Sequence, residues 1–384
     1  MPSAERLCAA PRVPATRRRV LGGLLQAAAA PVLLAGAFGP ARAAAGTPAA
    51  PAAAGRLPDA LQRPALRLGL PGRQSLLGLA AAGSRQVAVG ERGTVLLSDD
   101  GGRQWRQAAA VPVSVTLTGV QFADARSGWA IGHQGVVLAT TDGGEHWQRR
   151  LDGLAAARLA LAELQARPDA DPKALAMAER TVADGADKPL LALDFSGPAE
   201  GLVAGAYGLL LATRDGGRAW QSIAARLDNP KGGHLYALRR DGTRILIAGE
   251  QGLAFLSEDG GQSFRRLVTP YQGSWFTAAF EADGALLLAG LRGNVQRSRD
   301  GGRSWQALDN PVPVSLTGSL RLPDGRLLLA NQAGQLLGVE AMAVAPRLPT
   351  AAQQPAALAL APDGALLIAG WNGLTRVAPE SLAR

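Results

Sequence analysis

Ser98-Asp99-Asp100-Gly101-Gly102-Arg103-Gln104-Trp105 returns in altered form at residues 140–147, 213–220, 257–264 and 298–305. Every copy reads Ser/Thr-x-Asp-Gly-Gly-x-x-Trp/Phe. The invariant aspartates are Asp100, Asp142, Asp215, Asp259 and Asp300, and the closing aromatics are Trp105, Trp147, Trp220, Phe264 and Trp305. Successive aspartates are 42, 73, 44 and 41 residues apart, so one period holds throughout except for about 31 extra residues in the second gap. A repeat of roughly 40–50 residues points to a propeller or solenoid. Locally the pattern describes a turn. Hydroxyl and carboxylate bond to nearby backbone groups, paired glycines supply positive φ, and the aromatic ring anchors the next strand.

The eight-residue pattern resembles the Asp-box, or BNR repeat, of β-propellers, which lies between the third and fourth strands of a blade and is structural. Before each copy comes the same phrase of apolar strand, Gly-x-x-Gly turn and second strand, as in Val89-Gly90-Glu91-Arg92-Gly93-Thr94-Val95. Two further phrases lack the box, around Ala330-Asn331-Gln332-Ala333-Gly334 and Ala369-Gly370-Trp371-Asn372-Gly373. Seven phrases predict an all-β, seven-bladed propeller spanning 59–384. The last phrase stops short of a fourth strand. Segment 61–70, which precedes the first blade, is therefore expected to pair into the last blade and close the ring. The extra residues predict a helical hairpin, 154–185, inserted between blades two and three. Its second helix is capped by Asp171, begins at Pro172 and stops near Gly185. The hairpin is expected to be dispensable for folding of the propeller.

Residues 1–43 read as a leader. Arg17-Arg18-Arg19 precedes an Ala- and Gly-rich apolar stretch, and Ala41-Arg42-Ala43 is an A-x-A cleavage site, which predicts export by a twin-arginine or an ordinary secretory route. Residues 44–58 form an Ala/Pro-rich linker. Six arginines and one glutamate give the leader +5 of the chain's +9, leaving +4, too little to argue for nucleic-acid binding. Cys8, the single cysteine, falls in the leader. No thiol or disulfide chemistry is expected of the mature chain.

Blade connectivity sorts the loops onto two faces. The boxes share one face with the turns between first and second strands. The Gly-x-x-Gly turns share the other with the blade-to-blade connections and the hairpin. Arg92, His133, Tyr207, Gln251, Arg292 and Trp371 are the candidate partner-binding residues in these turns. The connections add Asn229, His234, Tyr236, Tyr271, Trp275, Phe276 and Asn310. No catalytic, metal-binding or cofactor-binding residues are assigned. His133 and His146 share the second repeat but lie in its turn and its box, on opposite faces, His234 lies in a later blade connection, and neither an H-E-x-x-H nor a G-x-S-x-G pattern occurs.

Taken together, the Gly-x-x-Gly turns, boxes, seven phrases and leader resemble the photosystem II stability/assembly factor family. That resemblance implies a non-catalytic, monomeric chaperone in the periplasm or lumen. It would bind an extracytoplasmic segment of a membrane protein, either a photosystem component or, in non-photosynthetic bacteria, a transporter or assembly system. It also implies an arginine patch, for which Arg92 and Arg292 are the matching turn residues. The alternative is a sialidase-like or other BNR-type glycoside hydrolase. Tyr207, Tyr236, Tyr271 and Glu250 match its nucleophile and partner in type only. The Arg-Ile-Pro segment of sialidases is absent, and sialidases have six blades rather than seven.

Overall fold

The second strand of each repeat is buried along its whole length, as in Gly128–Gly132, Gly201–Gly205, Leu286–Gly290 and Leu366–Gly370, save for the half-buried Arg85 and Arg244 that begin the first and fourth. Alternate residues of such a strand point to opposite sides, so each one serves two interfaces. Val87 and Val89 pack towards the second blade while Ala88 packs towards the last. Leu286 and Leu288 face the fourth blade, and Leu287 and Ala289 the sixth. Strands buried on both faces must read as unbroken apolar runs, and these do. The computed structural model describes residues 59–348 and 354–382. The leader, 1–43, and the linker, 44–58, lie outside the described residues.

Seven antiparallel sheets follow in chain order, six of four strands and a last one of three. The innermost strands are Leu76–Ala82, Leu117–Phe122, Leu190–Phe195, Leu235–Asp241, Trp275–Phe280, Leu316–Arg321 and Pro355–Leu360, and each touches the next around the ring. A separate apolar cluster fills each of the seven blade-to-blade interfaces.

Each box closes on its own backbone. The Asp Oδ1 accepts from the Ser/Thr hydroxyl two residues earlier at 2.7–2.9 Å. It also accepts from the amide four residues later at 2.9–3.1 Å. The second glycine donates its N–H to the same hydroxyl. Trp105, Trp147 and Trp220 donate their indole N–H to that glycine's carbonyl. In the fifth box the Trp305 indole N–H is buried without a partner.

These bonds hold the box carboxylates below the ordinary range. The Ser263 hydroxyl leads at Asp259 and the Ser304 hydroxyl at Asp300, while the Gln104 and Ala219 amides lead at Asp100 and Asp215. At Asp142 burial pushes upward, and the His146 amide and ring and the Thr140 hydroxyl overcome it. A carboxylate whose folded pKa lies below its unfolded value, about 3.9, stabilises the fold above that value and loses the contribution as pH falls. The urea midpoint should therefore hold from pH 7 to about pH 5 and fall steeply below about pH 4. Asp259→Asn should show a shallower acid slope from a lower starting midpoint. An unchanged slope would remove this carboxylate from the acid transition.

Segment 61–70 does not join the last blade. Leu61 is buried in the core between blades one and two. The Ala65 amide donates to Val111 O at 3.0 Å, and the Gln107 side chain bridges Leu66 O and the Leu68 amide along the outer edge of blade one. The Ala65 and Leu68 amides are thus engaged on blade one, Pro64 and Pro71 offer no donor, and Leu66 and Leu70 are exposed, so the segment has no alternating ladder strand to give the last blade. The last blade stays three-stranded: Pro355–Leu360, Leu366–Gly370 and Gly373–Val377. The ring closes instead through the apolar interface of blades seven and one. Arg103 of the first box bonds Asp363 at 2.8 Å, Arg376 also pairs with Asp363, and Arg376 Nε donates to Gly101 O at 3.0 Å.

Blade six lacks a box, and a neighbour holds its corresponding loop. Arg297 of blade five, 3% exposed, pairs with Glu281 at 2.5 Å and donates to the carbonyls of Ala341 and Glu340.

The insert forms α1 (Gly153–Gln165) and α2 (Pro172–Asp184). Asp152 caps α1 through the Ala155 amide and Asp171 caps α2 through the Lys173 amide, with Gly185 (φ 90°) ending it. Leu154 enters the interface of blades one and two, Ala156 enters that of blades two and three, and Glu163 accepts from the Ser222 hydroxyl at 2.6 Å. The hairpin is thus rooted in two interfaces, and removing 154–185 would open both. α2 has no fully buried residue and reaches the core only through Val182, which packs against the interface of blades one and two.

Candidate functional site: the turn face

The turns between second and third strands carry an unusual backbone. Arg92, Gln134, Tyr207, Gln251 and Arg292 all lie in the left-handed region, with φ between 51° and 57°. For a residue with a Cβ that conformation costs about 1 kcal/mol each, so five blades carry the same local cost at the same place. In return each turn sends its side chain outward. Arg92, Tyr207, Gln251 and Arg292 are exposed and Gln134 is half-buried. His133, also exposed, holds the first position of its turn rather than the left-handed one. Trp371 is 64% exposed on the last blade, where its carbonyl accepts from Ser75 Oγ at 3.3 Å.

Only some of the candidates meet. Tyr207 and Gln251 line one cavity of about 640 Å³ at the junction of blades three and four, together with Asn229, Lys231, His234, Glu250 and Arg266. Arg92, His133, Arg292 and Trp371 lie outside it. Arg92 on blade one and Arg292 on blade five are separated by two whole blades, so the pair alone forms no patch.

From this cavity an aromatic row runs inward. Lys188 Nζ stands 4.7 Å above the Tyr207 ring, and Tyr207 lies 5.0 Å from His234. His234 lies 6.1 Å from Tyr236, and Tyr236 lies 5.4 Å from Phe276. Burial, then the Glu250 charge, pushes the Tyr236 phenol above its ordinary range, so it remains a neutral donor. Asn229 braces the rim by exchanging side-chain bonds with both polar atoms of Gly233, at 2.9 and 3.0 Å.

Tyr236 and Phe276 belong to a ring whose constitution is invisible in the alternation of the strands. In every blade the pairing of the innermost strand slips after its first residue, leaving Leu77, Thr118, Leu191, Tyr236, Phe276, Thr317 or Ala356 without a register partner. Such a bulge re-aims its side chain, and all seven line the central channel. A small residue or threonine follows each one, and at Gly78 an added Cβ would meet the Gly119 backbone at 3.1 Å. That spacing is the signal by which the ring could be recognised from sequence.

Other candidates are engaged in the fold. Trp275 is completely buried rather than on the face, because the slip turns Phe276 outward in its place. The Tyr271 hydroxyl donates to Leu291 O at 3.1 Å. Glu250 accepts the His234 amide at 3.0 Å, the bond that Glu91 makes to Ser75 in blade one. Among the described residues no group of three or more His, Cys, Asp or Glu side chains is gathered as a metal site would need, and no helix is long and apolar enough to cross a membrane.

The sequence profile described as photosynthesis system II assembly factor YCF48 matches residues 103–166 and 172–337, more than half of the chain. The chain belongs to the YCF48 assembly-factor family. Among solved structures it is similar to a YCF48 bound to a D1 peptide, with 19% identity, a TM-score of 0.58, and coverage of 82% of this chain and 99% of that one. YCF48 from Cyanidioschyzon merolae matches at 16% identity and a TM-score of 0.58, covering 81% and 98%. An ancestral GH74 enzyme shares the fold at 10% identity and a TM-score of 0.59, with 79% of this chain and 45% of that one covered. At such identities these likenesses speak for the propeller fold alone; the YCF48 membership rests on the sequence profile. No curated protein matches the chain.

Proposed function

We propose that the protein is an exported, non-catalytic recognition module whose turn face binds an extracytoplasmic segment of a membrane protein complex, in a transport or a photosystem setting according to its host. The observation that carries this reading is the row Tyr207–His234–Tyr236–Phe276, which joins the rim cavity to the channel mouth on the face where turns and connections converge. Rigid rings beside polar side chains suit an extended peptide, since they bury area at little entropic cost. A family member bound to a D1 peptide fits the same mode of use. Export is read from Arg17-Arg18-Arg19 and Ala41-Arg42-Ala43. A monomer accords with a ring that closes within one chain. Glycoside hydrolysis is disfavoured because Tyr271 and Glu250 are committed to backbone bonds and Tyr236 resists ionisation.

The test is an array of peptides tiling the extracytoplasmic segments of the host's membrane proteins, probed with the full chain. Selective capture is expected, weakened at least tenfold (about 1.4 kcal/mol) by Tyr207→Ala combined with Tyr236→Ala. If the wild type captures nothing, or the double variant captures equally well, the reading is overturned.

A further inference from the structure

Among the described residues Arg239 is the only charged side chain lining the central channel, a cavity of about 220 Å³. Its Nη1 donates to Leu238 O at 2.9 Å. Among the described residues no acceptor takes its other N–H groups and no carboxylate pairs with it. Asp194, close enough to act on it through its charge, bonds Arg240 at 2.5 Å. The wall is mixed: leucines such as Leu77, Leu191 and Leu358 alternate with the hydroxyl groups of Thr277, Thr317 and Ser319. Burial pulls the guanidinium below its usual range, with Asp194 offsetting part of the effect. An arginine does not escape this cost by losing its proton, and a half-buried guanidinium with no acidic partner gains by meeting an anion.

We propose that the central channel is a binding site for a carboxylate, gripped by the free fork of Arg239 with its carbon tail against the leucine walls. A planar carboxylate matches the guanidinium fork in two parallel bonds. A single positive charge balances a monoanion, whereas a phosphate dianion would call for a second cation. The cavity has room for on the order of seven waters at ~30 Å³ each, enough for a short-chain acid. Entry is from the turn face, past Tyr236 and Phe276. The carboxylate comes either from a free short-chain acid or from an Asp or Glu side chain of a bound segment. The second source rests on the function proposed above, the first does not.

Calorimetric titration of the full chain with butyrate, against chloride at equal ionic strength, separates the two. For a free acid, butyrate binds one to one and Arg239→Gln weakens it at least tenfold. For a segment, butyrate gives no heat, but exchanging one Asp or Glu of a captured peptide for Asn or Gln weakens binding at least tenfold to the wild type and leaves Arg239→Gln unaffected. Neither pattern, or butyrate binding that survives Arg239→Gln, overturns the proposal. Without ligand, Arg239→Gln should melt no lower than the wild type. A lower melting point would make Arg239 a structural partner of Asp194 and would overturn it too. If no peptide is captured at all, the function proposed above fails and the channel site stands or falls on butyrate alone.

Discussion

Trp147→Ala should cost about 3–5 kcal/mol of folding free energy, the range for deleting a buried aromatic side chain. Trp147 is 4% exposed and sits in the core between blades one and two, edge-on to Phe122 with centroids 6.1 Å apart. Its indole N–H satisfies Gly144 O at 2.8 Å, and its backbone N–H reaches Ala110 O at 3.0 Å. Truncation would leave a cavity, an unpaired carbonyl and a loosened contact between adjacent blades. Urea unfolding measures the loss, and a change under about 1 kcal/mol would contradict the structural role of the box. Trp305→Ala supplies the comparison. That ring is half-buried and its N–H has no partner, so the same truncation should cost less.

What could be read from the sequence was what the backbone demands of particular side chains. Ser98, Asp100 and Gly102 are legible because one hydroxyl and one carboxylate close a turn that needs positive φ at Gly101 and Gly102. Asp171, Pro172 and Gly185 are legible as the ends of α2 because caps are local. The aim of a side chain after a slip in register is not local. It turned Trp275 into the core and Phe276 to the channel, against a sequence that offers both as aromatic loop residues. Segment 61–70 failed for a related reason. A missing fourth strand suggested a vacancy to be filled, but a ladder needs donors and alternation, and here Pro64 and Pro71 offer no donor and Leu66 and Leu70 are exposed. Arg239 is not legible in the sequence, because a chain this rich in arginine makes each one uninformative until its surroundings are known.

The turn face itself depends on glycines that precede the left-handed residues, and Gly290→Ala is expected to cost about 3 kcal/mol, the upper end for forcing extra volume into a packed site. Gly290 is extended, so close approach rather than φ requires it. A Cβ there would stand 2.1 Å from Ser274 O and 2.8 Å from the Trp275 Cα, both backbone atoms that no rotamer change can move. The same Ser274 carbonyl accepts the Leu291 amide at 2.9 Å, tying the turn to the start of the innermost strand. Gly90, Gly132, Gly205 and Gly249 repeat the arrangement, each with a carbonyl at 2.1–2.3 Å from the added atom. Blade six shows what happens without the glycine. Asn331 holds the equivalent place, its side chain caps the Ala333 and Gln335 amides, and of the turn's two positive-φ positions only the glycine, Gly334, remains. Alanine at 290 lacks that amide side chain, so the turn loses its shape with nothing to replace it, and the outward placement of Arg292 goes with it. Urea unfolding of Gly290→Ala against Gly318→Ala, where the added Cβ meets only Ala330 Cβ at 3.6 Å, isolates the effect of close approach. Equal costs at the two positions would show that the turn accommodates a side chain and that its glycine is not what holds the face in place.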